Sequence, residues 1–393
     1  MTVRLVAPAL LLAAALPGAA AAASFSSCVA GLKTQIVRAG VPAGLADEAL
    51  SGVAFDEKVV RFSRTQPEYV TAIWDYMAFL VDPERIATGK AMLKKHDATL
   101  RAVEKAYGVD RFIVAALWGI ESDFGQIRGE FFLPHGLANI VCAGKKRGFF
   151  TAELAAALKL VAAGDVRLAD LRGSWAGAFG QTQFMPSTYR RLAVDFDRDG
   201  HRDLVRSVPD ALASAANYLR KAGWRPGEGW GFEVAVPKGY KGPSGRRGRA
   251  ALKSWAARGL TRADGSAFSG RAAAGLIQPA GRTGPAFLVY RNFDALYAYN
   301  ASQAYALAIS HLSDRLKGSG PIRTPWPTDD PGLTRAERLG LQKLLLKAGH
   351  DIGEADGKVG PLTIAGIKAA EKKLKLPVTG RPGRRIYKAL GGS

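Results

Sequence analysis

Between Pro321 and Pro331 the chain reads Pro-Ile-Arg-Thr-Pro-Trp-Pro-Thr-Asp-Asp-Pro, directly after Gly318-Ser319-Gly320. Proline fixes φ and lacks a backbone donor, so neither a helix nor an inner strand continues through such a stretch. Residues 318–331 therefore read as a linker that divides a large domain, 24–317, from a small one, 332–393. In the large domain apolar residues recur at helical spacing over 25–39, 45–51, 67–81, 83–108, 149–163, 166–171, 187–193, 208–222 and 302–316. Residues 223–290 depart from that pattern, being rich in Gly, Pro and Arg with short β-like runs at 231–236 and 287–290. The expected fold is mainly α, with a small excursion of loops and strands. In the small domain the local pattern is helix, Asp356-Gly357 turn, helix.

Residues 1–23 have the three parts of a secretory leader: Met1 to Arg4, the apolar run Leu5 to Leu16, and Pro17-Gly18 before small residues ending at Ala23. The apolar run is short for a membrane span and nothing later approaches the needed length, so a soluble exported product is expected, without a transmembrane segment. Two cysteines, Cys28 and Cys142, then most simply form one disulfide. A lipid anchor on Cys28 is the competing idea, disfavoured because Phe25-Ser26-Ser27 lacks the usual aliphatic residue. Lys and Arg number 55 against 34 Asp and Glu, a formal charge of +21, which draws a protein toward polyanions. No recognition helix, zinc finger or aromatic RNA-binding motif supports nucleic acid. Outside the cytoplasmic membrane the polyanions are anionic lipid, wall phosphates and the carboxylates of wall peptides.

The sharpest chemical signal is 115–125, Ala-Ala-Leu-Trp-Gly-Ile-Glu-Ser-Asp-Phe-Gly. Asp110 is placed to cap a helix here and Gly125 to close it, while Ile113, Leu117, Ile120 and Phe124 mark its buried stripe. Glu121 follows Leu117 by four residues and shares its face. Burial and the negative end of a helix both favour the protonated acid, the state a general acid needs. From this window alone a Glu snorkelling at a helix end is the equal alternative. Asp123, the nearest second acid, points away from Glu121 along a helix.

Three other stretches accompany it. Residues 173–188 form a glycine-rich loop with Ser174, Gln181 and Gln183 as oriented polar groups among aromatics. Trp118, Trp175, Tyr218, Tyr297, Tyr299 and Tyr305 supply flat rings with polar tips suited to sugars, although core packing is the ordinary role for any one of them. Asp195, Asp197 and Asp199 with Gly200 follow the first half of a calcium loop. Its twelfth position is Arg206 rather than Glu, and Asp210 is left to close the site. A structural Ca²⁺ and an Asp-rich surface turn both remain open, and no cofactor is required.

Taken in order, Ile-Glu-Ser-Asp-Phe-Gly, the 173–189 loop, Asp-Phe-Asp-Arg-Asp-Gly, Ala-Asn-Tyr-Leu and Tyr-Asn-Ala-Ser resemble the B-type lytic murein transglycosylases of glycoside hydrolase family 103. The resemblance spans about 25–316. It implies a lysozyme-like domain with Glu121 as sole acid/base and with Ser174, Gln183, Tyr218, Tyr299, Asn300 and Tyr305 lining a glycan groove. It further implies periplasmic cleavage of the MurNAc-β-1,4-GlcNAc bond of peptidoglycan without water, leaving 1,6-anhydro ends. The tail resembles the type 1 peptidoglycan-binding domain, a three-helix module, through its Leu-Gln start at 341, the 356–363 turn and Gly380. Lys373 departs from that module's usual residue. A hydrolase with a second acid, and a wall-binding protein without catalysis, are the rival readings.

Overall fold

The computed structural model describes residues 17–63, 71–143 and 146–393. Most of the expected leader, and the first part of the helix expected at 67–81, lie outside the described residues. The chain forms two compact units, one from residues up to 65 with 129–178 and 185–190, the other from 66–128, 179–184 and 191–393.

The first unit is built from α1 (Pro17–Arg38), α2 (Ala43–Leu50) and α3 (Glu57–Phe62), with α8 (Leu133–Ala143) and α9 (Arg147–Ala162). Asp56 caps α3 by accepting from the Lys58 and Val59 amides, and its own amide donates to Asn139 on α8 at 2.7 Å. Leu32, Ile36, Leu137, Leu154 and Leu158 are buried at the centre. Cys28 and Cys142 are disulfide-bonded, joining α1 to α8. Strands β1 (Phe131–Phe132) and β2 (Arg172–Gly173) pair antiparallel.

In the second unit a helical core surrounds α7 (Arg111–Ser122). Around it lie α4 (Ile73–Leu80), α5 (Pro83–Lys95), α6 (Asp97–Tyr107), α11 (Val208–Lys221), α13 (Arg291–Asn300) and α14 (Gln303–Leu316). The single helix expected at 83–108 breaks at His96, which ends α5 and precedes α6 at φ −110°. Its ring packs edge-on against buried Trp118 at 5.5 Å, a tertiary contact that local sequence does not announce. Short α10 (Pro186–Leu192) matches the helix expected at 187–193, whereas 166–171 yields only a 3₁₀ turn, Leu168–Asp170.

The excursion at 223–290 is a five-stranded antiparallel sheet. Its spatial order is Ala250–Ala251 (β4), Ala273–Ile277 (β6), Ala286–Val289 (β7), Gly231–Ala235 (β3) and Thr261–Arg262 (β5). Short α12 (Leu252–Ala256) packs beneath it through Leu252 and Trp255, against Leu276 and Leu288. The tail has α15 (Arg335–Lys347), α16 (Pro361–Lys373) and α17 (Arg384–Ala389) around Leu341, Leu345, Ile352, Ile367 and Ile386. Thr334 and Glu337 form a capping box at the start of α15. Gln342 ties that helix to the turn by accepting from the Gly357 amide and donating to the Lys358 carbonyl. No described helix is long and apolar enough to cross a membrane.

Candidate active site

Helix α7 is nearly all apolar, and Ile113 to Gly119 are buried in sequence. As expected, Asp110 caps it, accepting from the Phe112 amide at 2.8 Å. Its other end differs from expectation: closure falls on Asp123, in the left-handed region at φ 50°, rather than on Gly125. The Asp123 amide donates to the Gly119 carbonyl, and Phe124 and Gly125 continue with positive φ. A short polar side chain tolerates this conformation well enough to take a role sequence rules give first to glycine.

Gly125 serves close approach instead. A Cβ there would lie 2.6 Å from Gln181 Oε1. Gln181, from the glycine-rich loop, accepts from Trp118 Nε1 at 3.1 Å, and its carbonyl accepts from the Ser122 hydroxyl. The Gly125 amide in turn donates to Ser122 Oγ at 2.9 Å. The last turn of α7 is thus fixed on both sides of Glu121.

Glu121 itself is half-buried and borders a cavity of about 810 Å³. The Tyr305 hydroxyl donates to its Oε1. Burial first, then the charge of Glu121, push the Tyr305 phenol well above its ordinary range, so it remains a donor at any physiological pH. Tyr299 stacks on Tyr305 with ring centres 6.2 Å apart and planes 18° from parallel. Burial, with the charges of Glu121 and Tyr218 behind it, likewise keeps Tyr299 protonated, and its hydroxyl donates to the Thr182 carbonyl at 2.7 Å. Tyr218 lies against Tyr299 at 4.6 Å and donates to the Ala298 carbonyl.

The sites expected from sequence therefore separate. Glu121, Asn300 and Tyr305 line one cavity. Tyr299 stacks on Tyr305, and Tyr218 packs on Tyr299 with the planes tilted by 56°. Gln183, at φ 51°, spends its amide on the Arg128 and Gly180 carbonyls at 3.0 and 2.9 Å. Ser174 belongs to the other unit, where its hydroxyl accepts from the Ala178 amide at 3.0 Å.

One group in the cavity escaped sequence reading. Asp75 on α4 lines it, and both of its oxygens are taken by the guanidinium of Arg381, 306 positions away in the tail. Arg338 and Lys358 of the tail line the same cavity. Such pairings carry no local signal.

The acidic loop forms a second centre. Oxygens of Asp195, Asp197 and Asp210 lie within 4.8 Å of one another. Asp210 is fully buried and accepts from the Phe196 and Asp203 amides at 2.7 and 2.8 Å. Burial is the leading cause that lifts its carboxyl above the usual range. Three carboxylates at this spacing are a hard oxygen donor set of the kind Ca²⁺ takes. Asp199 stands outside the group, its carboxylate accepting from the His201 amide.

The family model "Transglycosylase SLT domain" matches residues 24–314, and "Putative peptidoglycan binding domain" matches 334–390. A crystal structure of SltB3 from Pseudomonas aeruginosa, in complex with NAG-anhNAM-pentapeptide, is 40% identical with a TM-score of 0.75. That match covers 93% of this chain and 99% of the other. The Escherichia coli lytic transglycosylase SLT35 in complex with calcium is 25% identical, with a TM-score of 0.63, over 75% of this chain and 93% of that one. Membrane-bound lytic murein transglycosylase B of Escherichia coli is 30% identical over 242 residues, 60% of this chain and 65% of that protein, so the match spans just under two thirds of the relative. With the family model covering most of its length, the chain belongs to the SLT-domain transglycosylases.

Proposed function

We propose that the protein is a lytic transglycosylase that cleaves the MurNAc-β-1,4-GlcNAc bond of peptidoglycan and leaves 1,6-anhydro-MurNAc ends, with Glu121 as its single acid/base. The observation that carries this reading is the pairing of carboxylates in the cavity. Glu121 and Asp75 are the described acids that line it, and Asp75 has both oxygens committed to Arg381. An ordinary glycosidase needs two working carboxylates, one to donate and one to activate water or form a glycosyl ester. Here one remains.

Protonated Glu121 donates to the glycosidic oxygen as the C1–O bond breaks. The resulting carboxylate, steadied by the Tyr305 hydroxyl, then takes the proton of the muramic C6 hydroxyl as that oxygen bonds to C1. The proton balance on Glu121 closes, and no water enters. Asn300 and Tyr305, which line the cavity with Glu121, would hold the glycan. The tail would hold the wall, and the +21 charge favours the carboxylates of its peptides. Ca²⁺ at Asp195, Asp197 and Asp210 would pin the loop between α10 and α11, a structural role. The leader at 1–23 would export the chain to the periplasm.

Digestion of purified sacculi tests this directly. Muropeptides should be lighter by one water than lysozyme products and lack a reducible muramic end. The Glu121→Gln variant should fold and lose on the order of 100-fold or more in rate. Reducing muramic ends would instead make the protein a hydrolase and return Asp75 to the candidates for its second acid.

A further inference from the structure

We infer that Arg335, in the tail module, is a positioning residue for catalysis. It clamps Asp123, the residue that ends α7 two positions after Glu121. The inference rests on the reading of Glu121 as the acid/base, but it concerns a residue outside the lysozyme-like part of the sequence.

The geometry is a closed ion square. Arg335 Nη1 donates to Asp123 Oδ2 at 2.8 Å, while its Nε and Nη2 reach Asp82 Oδ2 and Oδ1 at 2.7 and 3.1 Å. Arg85 completes the figure, with Nε on Asp123 Oδ1 at 3.3 Å and Nη1 on the Phe79 and Leu80 carbonyls at the end of α4. Asp82 is wholly buried, Arg85 nearly so, and Asp82 also caps α5 by accepting from the Arg85 amide at 2.7 Å. The fork of one guanidinium therefore joins the start of α5 to the end of α7. Arg85 Nη1 also lies 3.7 Å from Asp82 Oδ2, so Asp82 and Asp123 each meet both guanidiniums, while Glu84 and Arg338 add a further acid and a further cation beside Asp82.

Removing Arg335 leaves Arg85 as the one guanidinium paired with both Asp82 and Asp123, where Asp82 has no access to water and Glu84 adds a further acid beside it. An uncompensated buried charge is costly, and the cheapest relief is movement of the less buried partner, Asp123. Asp123 sits in the left-handed region with its amide bonded to the Gly119 and Trp118 carbonyls. Its displacement unwinds the turn that carries Glu121 and loosens the approach of Glu121 to Tyr305. A reacting group misplaced by about 1 Å can cost about 100-fold in rate. The tail accordingly acts on chemistry as well as on wall binding.

The test uses the full chain and a soluble GlcNAc-MurNAc oligosaccharide too short to engage a wall surface. Arg335→Ala should lower kcat by about tenfold or more while KM changes less than twofold. Asp123→Asn, which keeps a residue suited to positive φ, should lower kcat as well. The double variant should fall no further than Arg335→Ala, because both act through one contact. Arg335→Lys, which keeps the charge and loses the fork, should recover part of the loss and guards against a folding failure of the alanine variant. Circular dichroism reports the fold of each. Wild-type kcat in Arg335→Ala, a rise in KM alone, full activity in Arg335→Lys, or additive losses would each overturn the inference. A wild-type protein that yields no anhydro ends from the same oligosaccharide would instead sink the functional reading beneath it.

Discussion

Replacing Tyr305 by Phe isolates one hydrogen bond at the reacting carboxylate. The ring is 2% exposed and stays held by Tyr299, stacked at 6.2 Å, so the fold has little reason to change. What is lost is a donor to Glu121 Oε1. Hydrogen bonds to charged groups contribute about 1.5–3 kcal/mol. The Glu121 acid retains part of that interaction before it gives up its proton, so the lower end of the range is the differential that reaches the rate. About 1.5 kcal/mol corresponds to about a tenfold fall in kcat. The effect has a direction in pH too. Without the donor the carboxylate form is less favoured, and the alkaline limb of the rate profile should move to higher pH. The phenol itself adds no limb below pH 10, since burial and then the Glu121 charge hold its titration well above that. Initial rates on a soluble muroglycan from pH 4 to 9, for wild type and variant, give both readouts. Unchanged kcat together with an unmoved limb would refute a role for Tyr305 at the carboxylate.

Asp314 on α14 is half-buried, accepts from Trp230 Nε1 at 3.1 Å, and is pushed up to about 6, chiefly by desolvation. Its folded value lies above its ordinary 3.8, so the folded state binds the extra proton and stability is lost as pH rises from about 4 to about 6, by roughly 3 kcal/mol. Asp314→Asn should therefore melt higher than wild type at pH 7.5 and match it near pH 4; an equal gap at both would contradict the assignment. His311 on the same helix, pushed down to about 4 by burial, has the opposite sign, so the variant should still lose stability on acidification below about 6.5. Calcium should raise the melting temperature of wild type by mass action, by about 2.7 kcal/mol of stability at 100 times Kd. Asp210→Asn should abolish that increment, and identical melts of wild type in calcium and in chelator would favour the plain acidic turn.

Much of the fold was legible because its signals are local. Asp110 capped the helix it was expected to cap, and the apolar periods at 149–163, 208–222 and 302–316 became α9, α11 and α14 within a residue or two of their ends. The strands at 231–236 and 287–290 appeared in place. Helix α8 went unread because Pro134 and Gly136 look like punctuation; a proline in the first turn leaves unmade only a bond the helix lacks there anyway. Helix α13 was hidden by Tyr297 and Tyr299, which read as ligand-facing rings and, two residues apart, do not share one helix face.

The candidate site divides along the same line. Glu121 could be singled out because it sits in a short run on the apolar face of a capped helix, whereas Tyr305 stood out only through the family resemblance. What surrounds them is decided by partners far away in the chain: Asp75 by Arg381, Asp123 by Arg335, Trp118 by Gln181. An arginine in the first turn of a tail helix looks in sequence like a solvated charge, and it even opposes the helix dipole there. Its position becomes intelligible only when the buried Asp82 carboxylate is seen to need a cation. That carboxylate is needed in turn to cap α5, whose first turn must end close against α4 and α7. A local requirement, the capping of one helix in a dry interior, thus creates a charge that a distant segment must answer. The same answer fixes the turn that carries Glu121, which links the stability of the interior to the geometry of the reaction.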